Sequence, residues 1–283
     1  MTVGDLTLAV YEEGDGPAVV MVHGFPELDY SWRHQLPALA RAGFHGIAYD
    51  LRGYGESHKP ESIAVYGLEH LTADLVGLLD ALGLVSAVLV GHDWGSIVVW
   101  TTVVTRPERS MRWSASTFPT GAGAVASPTP NSSRSDCQRG SPTCCSSRSR
   151  AGPRGASPRT RRAGCTVSSG GSPRTPTSCP RRISPCTGTL SSREGSINYY
   201  RNIDANWEAT AHLAHRPIEV PTLVIAADSD PVLPPSLTEG MERWVPDLRV
   251  EIVQDCGHWT QQEQPGRVNE LLVGFLRGLF GEV

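Results

Sequence analysis

The sequence has no long hydrophobic run, a single lysine, and no aromatic residue in the 80 positions between Phe118 and Tyr199. A membrane-spanning helix needs about 18 or more apolar residues in succession, and no window approaches that. The N-terminus begins Met1-Thr2-Val3-Gly4-Asp5, without the basic stretch and apolar core of a signal peptide. At 283 residues, the chain is expected to be a cytoplasmic protein with one large domain, or one domain with an insertion.

A regular cysteine framework is also missing. Six of the seven cysteines fall in one segment without repeating spacing: Cys137, Cys144, Cys145, Cys165, Cys179 and Cys186. Because no histidine lies at zinc-finger distance from them, and a disulfide framework needs an oxidising compartment, neither kind of site is predicted. Cys256 is expected to be a buried structural thiol. The sequence predicts no metal and no cofactor.

Acidic residues are nearly absent from the same segment. Residues 119–193 contain 12 Arg and one acid, a net charge of +11, whereas the remainder carries −15. Blocks of one sign often mark nucleic-acid contacts. However, no aromatic residues alternate with these arginines, so nucleic-acid binding is not expected.

The two outer parts of the chain alternate apolar runs with helical patterns. Strands are predicted at 17–23, Phe44–Tyr49, Val85–Val90, Thr222–Ala227 and Leu248–Val253, and helices at Leu68–Leu82, Ile97–Val104 and Val268–Phe280. Continuous apolar strands between amphipathic helices predict an α/β fold whose mostly parallel sheet is covered on both faces. Functional residues in such sheets lie beyond the carboxyl ends of the strands.

One strand end carries a candidate nucleophile. The sequence Gly91-His92-Asp93-Trp94-Gly95 lies between a strand and a helix, which is the pattern of a nucleophile elbow. The usual central residue is Ser, and here it is Asp93. An aspartate that only caps the following helix is the simpler alternative, but glycines at both flanking positions favour the elbow.

A second strand end predicts the oxyanion hole. His23-Gly24-Phe25-Pro26 follows the strand at 17–23, where this fold supplies one backbone N–H, and the residue after the nucleophile supplies the other. We assign these two N–H groups to Phe25 and Trp94.

Two later strand ends offer an acid and a base. Asp228 and Asp230 follow the strand at Thr222–Ala227, and His258 follows the strand at Leu248–Val253. The chain order nucleophile, acid, base is that of the α/β-hydrolase triad. We predict His258 as the base and Asp230 as the acid that orients it, with Asp228 as the alternative.

An aspartate nucleophile selects the chemistry. A carboxylate is ionised at neutral pH and can displace a leaving group from saturated carbon, forming an ester that activated water then hydrolyses. Epoxide opening and dehalogenation both fit this scheme. An epoxide oxygen requires a proton donor such as a tyrosine hydroxyl, which Tyr199 and Tyr200 offer, whereas a halide requires only N–H donors.

Five motifs together resemble the soluble epoxide hydrolases. They are His-Gly-Phe-Pro-Glu at 23–27, Arg-Gly-Tyr-Gly at 52–55, Gly-His-Asp-Trp-Gly at 91–95, Asn-Tyr-Tyr-Arg-Asn at 198–202 and Asp-Cys-Gly-His-Trp-Thr-Gln at 255–261. The resemblance implies an α/β-hydrolase fold with a helical lid, and a lid tyrosine that helps open the epoxide: Tyr200, or less favourably Tyr199. The family uses another tyrosine earlier in the lid, which this sequence lacks.

The resemblance covers roughly residues 1–109 and 194–283. We expect His23, Pro26, Tyr199 and Trp259 to line the substrate pocket. The expected reactants are a small-molecule epoxide and water, and no nucleic acid or membrane partner is expected. A homodimer is possible.

The middle of the chain does not resemble any part of this family. Residues 120–193 contain one Leu, one Ile and two Val, too few to offset the entropy of ordering. A disordered insertion is one interpretation, and a frameshift in a GC-rich gene is the other. Reading 110–120 from the third base of each codon permits an apolar sequence that suits a buried strand.

The predicted organisation therefore has four parts. Residues 1–109 form the first part of the hydrolase core, 110–193 a frameshifted or disordered strand and lid region, 194–215 the remaining lid helix, and 216–283 the rest of the core. A frameshift would remove one central strand and most of the lid. Three functions stay open: an epoxide hydrolase, a haloalkane or haloacid dehalogenase with the same triad, and an inactive remnant.

Overall fold

A seven-stranded sheet organises the part of the chain that the computed structural model describes, residues 1–116, 193–213 and 216–281. The strands are β1 (Thr2–Val3), β2 (Leu6–Thr7), β3 (Val10–Glu13), β4 (Ala18–Val22), β5 (His45–Tyr49), β6 (Ala87–Gly91), β7 (Ser110–Ser116), β8 (Thr222–Ala227) and β9 (Leu248–Val253). The helices are α1 (Gln35–Arg41), α2 (Leu68–Ala81), α3 (Trp94–Thr105), α4 (Arg193–Arg201), α5 (Ile203–Thr210), α6 (Thr260–Glu263) and α7 (Pro265–Phe280).

Strand order in the large sheet is β3-β5-β4-β6-β7-β8-β9. β3 pairs with β5 in antiparallel register, and all the other neighbours are parallel. The strands β4, β6 and β8 are buried at every position, which explains why their sequences are continuous apolar runs. Because these three strands are parallel, their carboxyl ends lie at the same edge of the sheet.

Helices cover both faces of the sheet. One hydrophobic cluster joins alternate residues of β4, such as Val20 and Val22, to the apolar sides of α2 and α3. A second cluster joins the other residues, Val19 and Met21, to α1 and α7. The alternation follows from the two-residue period of a strand. All the described residues belong to one compact unit.

This architecture confirms the predicted fold class. The predicted strands and helices are present with small shifts at their ends. For example, β6 begins at Ala87, two residues later than predicted, and Val85 is 81% exposed. Three short strands at the N-terminus were not predicted. Among the described residues, no helix combines the length and the apolar content needed to cross a membrane.

The expected loss of one central strand was wrong. β7 lies between β6 and β8 and pairs with both. Strand pairing uses backbone N–H and C=O groups, which every residue except proline has, so a sequence containing Arg112 and Ser114 can still fill this position. Pairing with β6 is irregular, since Ala87 lies opposite Ser110 while Leu89 lies opposite Ser114. Residues 110–193, the region predicted to be frameshifted or disordered, are called the anomalous segment below. Most of it, residues 117–192, lies outside the described residues.

Candidate active site

Asp93 lies in a sharp turn between β6 and α3. Its backbone has φ +51° and ψ −122°, a conformation that residues other than glycine rarely adopt. The flanking glycines are required by space: a Cβ on Gly95 would lie 2.1 Å from the carbonyl oxygen of Val22, and one on Gly91 would lie 2.6 Å from the backbone of Ser96. The strained turn therefore presents the Asp93 carboxylate at the open edge of the sheet, as the elbow pattern predicts.

One carboxylate oxygen of Asp93 occupies the predicted oxyanion hole. The backbone N–H of Phe25 donates to Asp93 Oδ1 at 3.2 Å, and the N–H of Trp94 donates to the same atom. Phe25 belongs to the turn after β4, where its peptide bond to Pro26 is cis. The other oxygen, Oδ2, faces His258 instead. The two carboxylate oxygens of Asp93 therefore have different environments.

His258 lies between two carboxylates. Its Nε2 is 3.6 Å from Asp93 Oδ2, and its Nδ1 is 2.9 Å from Asp230 Oδ2. Asp230 is itself fixed, because its Oδ1 accepts the backbone N–H groups of Val232 and Leu233 at 2.8 and 2.9 Å. Of the two acids that the sequence left open, Asp230 contacts the imidazole. Asp228 instead accepts backbone N–H groups of Asp255 and Cys256.

The charge of His258 depends on both carboxylates. Burial acts to lower the pKa of His258, but hydrogen bonds and charge interactions with Asp93 and Asp230 outweigh it and raise the pKa to about 9. With Asp93 ionised, His258 is therefore protonated at neutral pH. A change that neutralised Asp93 would remove part of this stabilisation and release the proton more readily.

A buried ion pair supports His258 from inside the protein, and the sequence motifs assigned it no role. His92 Nδ1 donates to Glu27 Oε2 at 2.7 Å, and His92 Nε2 donates to the backbone oxygen of His258 at 2.8 Å. Both partners are acceptors, so both ring nitrogens carry protons and His92 is a cation. Burial opposes these charges, but pairing dominates: the pKa of His92 is raised and that of Glu27 is lowered.

Glu27 has further partners that hold it in place. Its carboxylate accepts the side-chain amides of Gln261 at 3.0 Å and Gln262 at 2.6 Å, both from helix α6 beyond the base. The signal in the sequence was the presence of two titratable residues, Glu27 and His92, inside motifs that follow fully buried strands. The arrangement ties the loop of His258 to the loop of Asp93.

The two neighbouring tyrosines of α4 have different environments. Tyr200 is 44% exposed and packs edge-on against the rings of Phe25 and Trp94, with centroid distances of 5.1 and 5.2 Å. Burial raises the pKa of Tyr200, so its hydroxyl remains a proton donor. Tyr199 is fully buried, and its hydroxyl donates to the backbone oxygen of Arg52 at 2.8 Å.

The four expected pocket residues also include two exposed and two fully buried side chains. Trp259 is 43% exposed and its ring packs 5.6 Å from that of His258, and Pro26 is exposed beside the oxyanion hole. The expectation was wrong for Tyr199, which belongs to the hydrophobic core. It was also wrong for His23, which is fully buried.

Both ring nitrogens of His23 are used within the fold. Nδ1 donates to the oxygen of Gly24 at 2.9 Å, and Nε2 accepts the N–H of Leu51 at 3.0 Å. Burial is the main cause that lowers the pKa of His23, so the ring is neutral. His23 therefore holds the backbone at Gly24 in place through buried hydrogen bonds, and it does not face the substrate.

Cys256 is a buried free thiol, as predicted, and burial raises its pKa to about 11. Within residues 1–116, 193–213 and 216–281, no group of three or more His, Cys, Asp and Glu side chains is arranged to hold a metal ion.

Comparison with known proteins agrees with this geometry. The model of the alpha/beta hydrolase fold family matches residues 17–110 and 183–265, and the stretch between them falls in the anomalous segment. Epoxide hydrolase A of Mycobacterium tuberculosis is 39% identical over 305 residues, which cover 96% of this chain and 94% of that protein.

Solved structures give the same result. The crystal structure of an epoxide hydrolase from Vigna radiata has a TM-score of 0.72 and 29% identity, covering 98% of this chain and 96% of that one. The crystal structure of epoxide hydrolase A from Mycobacterium thermoresistibile has a TM-score of 0.70 and 30% identity, covering 98% and 97%. By its sequence, its fold and its relatives, this chain belongs to the epoxide hydrolase family of α/β-hydrolases.

Proposed function

We propose that this chain hydrolyses epoxides to vicinal diols through a covalent ester on Asp93. The observation that carries the proposal is that the two carboxylate oxygens of Asp93 have different partners. Oδ1 accepts the N–H groups of Phe25 and Trp94, while Oδ2 faces His258. A serine hydroxyl at this position would need a base to become a nucleophile, whereas a carboxylate is already ionised.

In the first step, Asp93 Oδ2 attacks one carbon of the epoxide. The carbon–oxygen bond of the strained ring breaks, and its electron pair goes to the epoxide oxygen. The Tyr200 hydroxyl supplies the hydrogen bond and then the proton for that oxygen, because its ring lies against Trp94 and Phe25 beside the nucleophile. A hydroxyalkyl ester of Asp93 results.

In the second step, His258 removes a proton from water and the hydroxide attacks Cγ of the ester. The negative charge that develops on Oδ1 is stabilised by the two backbone N–H groups that already point at this atom. When the tetrahedral intermediate collapses, Oδ2 leaves with the product and takes the proton from His258. The carboxylic acid left on Asp93 then returns its proton to His258. The Tyr200 phenolate of the first step regains its proton from the protonated His258 of the free enzyme, through water, before the second step begins. The diol therefore carries one oxygen from the epoxide and one from Asp93.

The change in charge at Asp93 also prepares the base. In the free enzyme, Asp93 and Asp230 hold the pKa of His258 near 9 against the effect of burial. Esterification neutralises Asp93, so the pKa of His258 falls and a neutral imidazole becomes available for water. The base is thus activated only after the ester has formed.

The exposed side chains near the site favour an apolar substrate. Tyr200, Trp259 and Val232 are 44%, 43% and 59% exposed. Each is joined to the catalytic machinery: Tyr200 packs on Trp94, Trp259 follows His258, and Val232 donates its N–H to Asp230. We therefore propose small epoxides with aryl or alkyl groups as substrates.

A single-turnover reaction in ¹⁸O-labelled water tests the ester. With the enzyme in excess over styrene oxide, the first diol molecules are expected to contain no label, while Asp93 gains it. Mass spectrometry of the diol and of the peptide containing Asp93 measures both. Direct attack of water on the epoxide would instead place the label in the first diol and leave Asp93 unlabelled.

A dehalogenase is the competing function, since it uses the same nucleophile and base. It predicts halide release from a primary chloroalkane such as 1-chlorobutane, and indifference to Tyr200→Phe. The epoxide proposal expects Tyr200→Phe to slow ester formation from styrene oxide about 10- to 100-fold, because the epoxide oxygen would lose its proton donor. Halide release by the wild type with little effect of Tyr200→Phe would favour the dehalogenase.

We further propose that residues 110–193 record a frameshifted strand and lid region. The match of the hydrolase family model to 17–110 and 183–265, but not to the residues between them, supports this division. A fresh nucleotide read across codons 105–198 tests it. Two compensating indels, with a restored frame that supplies a second lid tyrosine, are expected; an unbroken written frame in genomic DNA and in close strains would contradict the frameshift.

A further inference from the structure

The loop that carries the base, Asp255 to Trp259, needs support from outside its own backbone. It follows β9 at the end of the sheet, and Asp255, Trp259 and the flanking Gln254 are exposed. Asp255 has φ +53°, a left-handed conformation that residues other than glycine adopt only when neighbours hold them there. The position of His258 therefore depends on what binds this loop.

Asp228 binds the first half of the loop. Its Oδ2 accepts the N–H of Asp255 at 3.1 Å, and its Oδ1 accepts the N–H of Cys256 at 3.1 Å. These two bonds lower the pKa of Asp228, so the carboxylate stays ionised. Charge-assisted bonds of this kind are stronger than bonds between neutral groups. Asp228 thus stabilises the strained residue and its neighbour together.

Glu263 binds the second half of the loop. Its Oε2 accepts the N–H of Gly257 at 2.7 Å, and its Oε1 accepts the N–H of Trp259 at 3.1 Å. The two donors lie immediately before and after His258. A glycine at 257 permits this approach, because a Cβ there would lie 3.0 Å from Glu263 Oε2. One carboxylate therefore brackets the base on both sides.

The inner side of the loop is held as well. His92 donates to the backbone oxygen of His258 at 2.8 Å, and the N–H of Ser229 donates to the oxygen of Cys256 at 3.0 Å. Neither Asp228 nor Glu263 contacts the imidazole of His258 in the described hydrogen bonds. Their carboxylates act on the backbone, at the four N–H groups of residues 255, 256, 257 and 259.

We propose that Asp228 and Glu263 are positioning residues for His258, and that they set the rate of ester hydrolysis without taking part in ester formation. The inference rests on the proposed two-step function. Ester formation needs Asp93 and Tyr200, and neither of them is hydrogen-bonded to Asp228 or Glu263, whose partners are the backbone N–H groups of the loop. Ester hydrolysis needs His258 at the right distance from Asp93 and Asp230, and a displacement near 1 Å lowers such rates by about 100-fold.

Graded variants of the full-length chain test the two carboxylates. Asp228→Asn and Glu263→Gln each keep one acceptor oxygen, whereas Asp228→Ala and Glu263→Ala keep none. With styrene oxide under single-turnover conditions, ester decay is expected to slow about tenfold in the amide variants and about 100-fold in the alanine variants. The rate of ester formation is expected to change less than twofold in all four.

Asp255→Asn is the matched control. It removes one negative charge from the same loop, and asparagine tolerates the same positive φ. If loss of a nearby negative charge were the only effect, Asp255→Asn would slow ester decay as much as Asp228→Asn does. The alanine and amide variants would then also slow it equally. We expect ester decay in Asp255→Asn to stay within twofold of the wild type.

A second measurement needs no turnover. NMR titration of His258 in the free enzyme is expected to give a pKa near 9 in the wild type. That pKa is expected to fall in the order wild type, amide variant, alanine variant, since the imidazole moves away from Asp93 and Asp230. Unchanged pKa and unchanged ester decay in the folded variants would overturn the positioning role. A wild type that forms neither ester nor diol would instead overturn the proposed function, while leaving the titration as the test of the loop.

Discussion

Asp93 is held by backbone that has no room to move, whereas His258 lies on a half-exposed loop that charged side chains hold in place. The turn at Asp93 depends on Gly91 and Gly95, whose hydrogens face carbonyl and backbone atoms at distances that no Cβ tolerates. The loop at His258 instead depends on Asp228 and Glu263, both exposed at the rim. Steric exclusion fixes Asp93, and hydrogen bonds from backbone N–H groups to two carboxylates fix the loop of His258.

The difference has a consequence for each step of the reaction. In the proposed mechanism, ester formation depends on a turn that close packing of backbone atoms holds in place. In the same proposed mechanism, ester hydrolysis depends on a network of charges that includes Glu27, His92 and Asp230 in addition to Asp228 and Glu263. The second step is therefore expected to be the more sensitive one, and the following experiments test that contrast.

Asp93→Asn is expected to have the largest effect. An amide is a poor nucleophile, so diol formation should fall about 10⁴-fold or more, in line with the loss of other catalytic nucleophiles. Diol release from styrene oxide measures it, and an unchanged melting temperature shows that the fold is intact. Substantial remaining turnover would mean that another group, or water itself, opens the epoxide.

His258→Gln is expected to separate the two steps. Asp93 should still form the ester, but hydrolysis should slow about 10²- to 10⁴-fold because no general base remains. Intact-protein mass spectrometry after addition of styrene oxide should show a stoichiometric adduct on the chain. Rapid diol release without an adduct would remove His258 from its role and erase the contrast between the steps.

Gly95→Ala tests the steric side of the comparison. The new Cβ would lie 2.1 Å from the carbonyl oxygen of Val22, so the elbow must shift. Overpacking of this kind destabilises a fold by about 1–3 kcal/mol, and a displaced Asp93 should slow ester formation about 100-fold. Chemical denaturation and rapid quench measure the two effects. Gly266→Ala is the control, because a Cβ there meets no heavy atom within 4 Å.

Over a single pH unit, the change in the rate of ester hydrolysis with pH is expected to be the mildest effect. Ester hydrolysis requires neutral His258, so its rate should fall tenfold per pH unit on the acid side of the His258 pKa. The inflection should lie below about 9, since the ester removes the charge of Asp93 that helps raise the pKa in the free enzyme. Rapid-quench measurement of ester decay between pH 5 and 10 checks this, and an inflection at or above the free-enzyme pKa would contradict the proposed activation of His258.

Much of this protein could be predicted from its sequence because the relevant signals are local. Apolar runs and helical spacing predicted the parallel sheet, and glycines on both sides of Asp93 predicted the elbow at the end of β6. The order of Asp93, Asp230 and His258 along the chain predicted a hydrolase triad. In contrast, Arg112 and Ser114 in the written frame suggested that a central strand was lost. β7 is nevertheless present, because backbone pairing with two buried neighbouring strands can accept an unsuitable sequence.

The tertiary structure decided between residues that are close together in sequence. Asp228 and Asp230 follow the same strand, and only the path of the loop shows that Asp230 contacts the imidazole while Asp228 binds backbone. Adjacent residues of a helix point about 100° apart, so the packing of α4 against the core determines that Tyr199 is buried and Tyr200 faces the site. Sequence alone determined which chemical groups this protein has at its strand ends; the three-dimensional packing determined which of them meet, because contacts between distant segments depend on the whole fold.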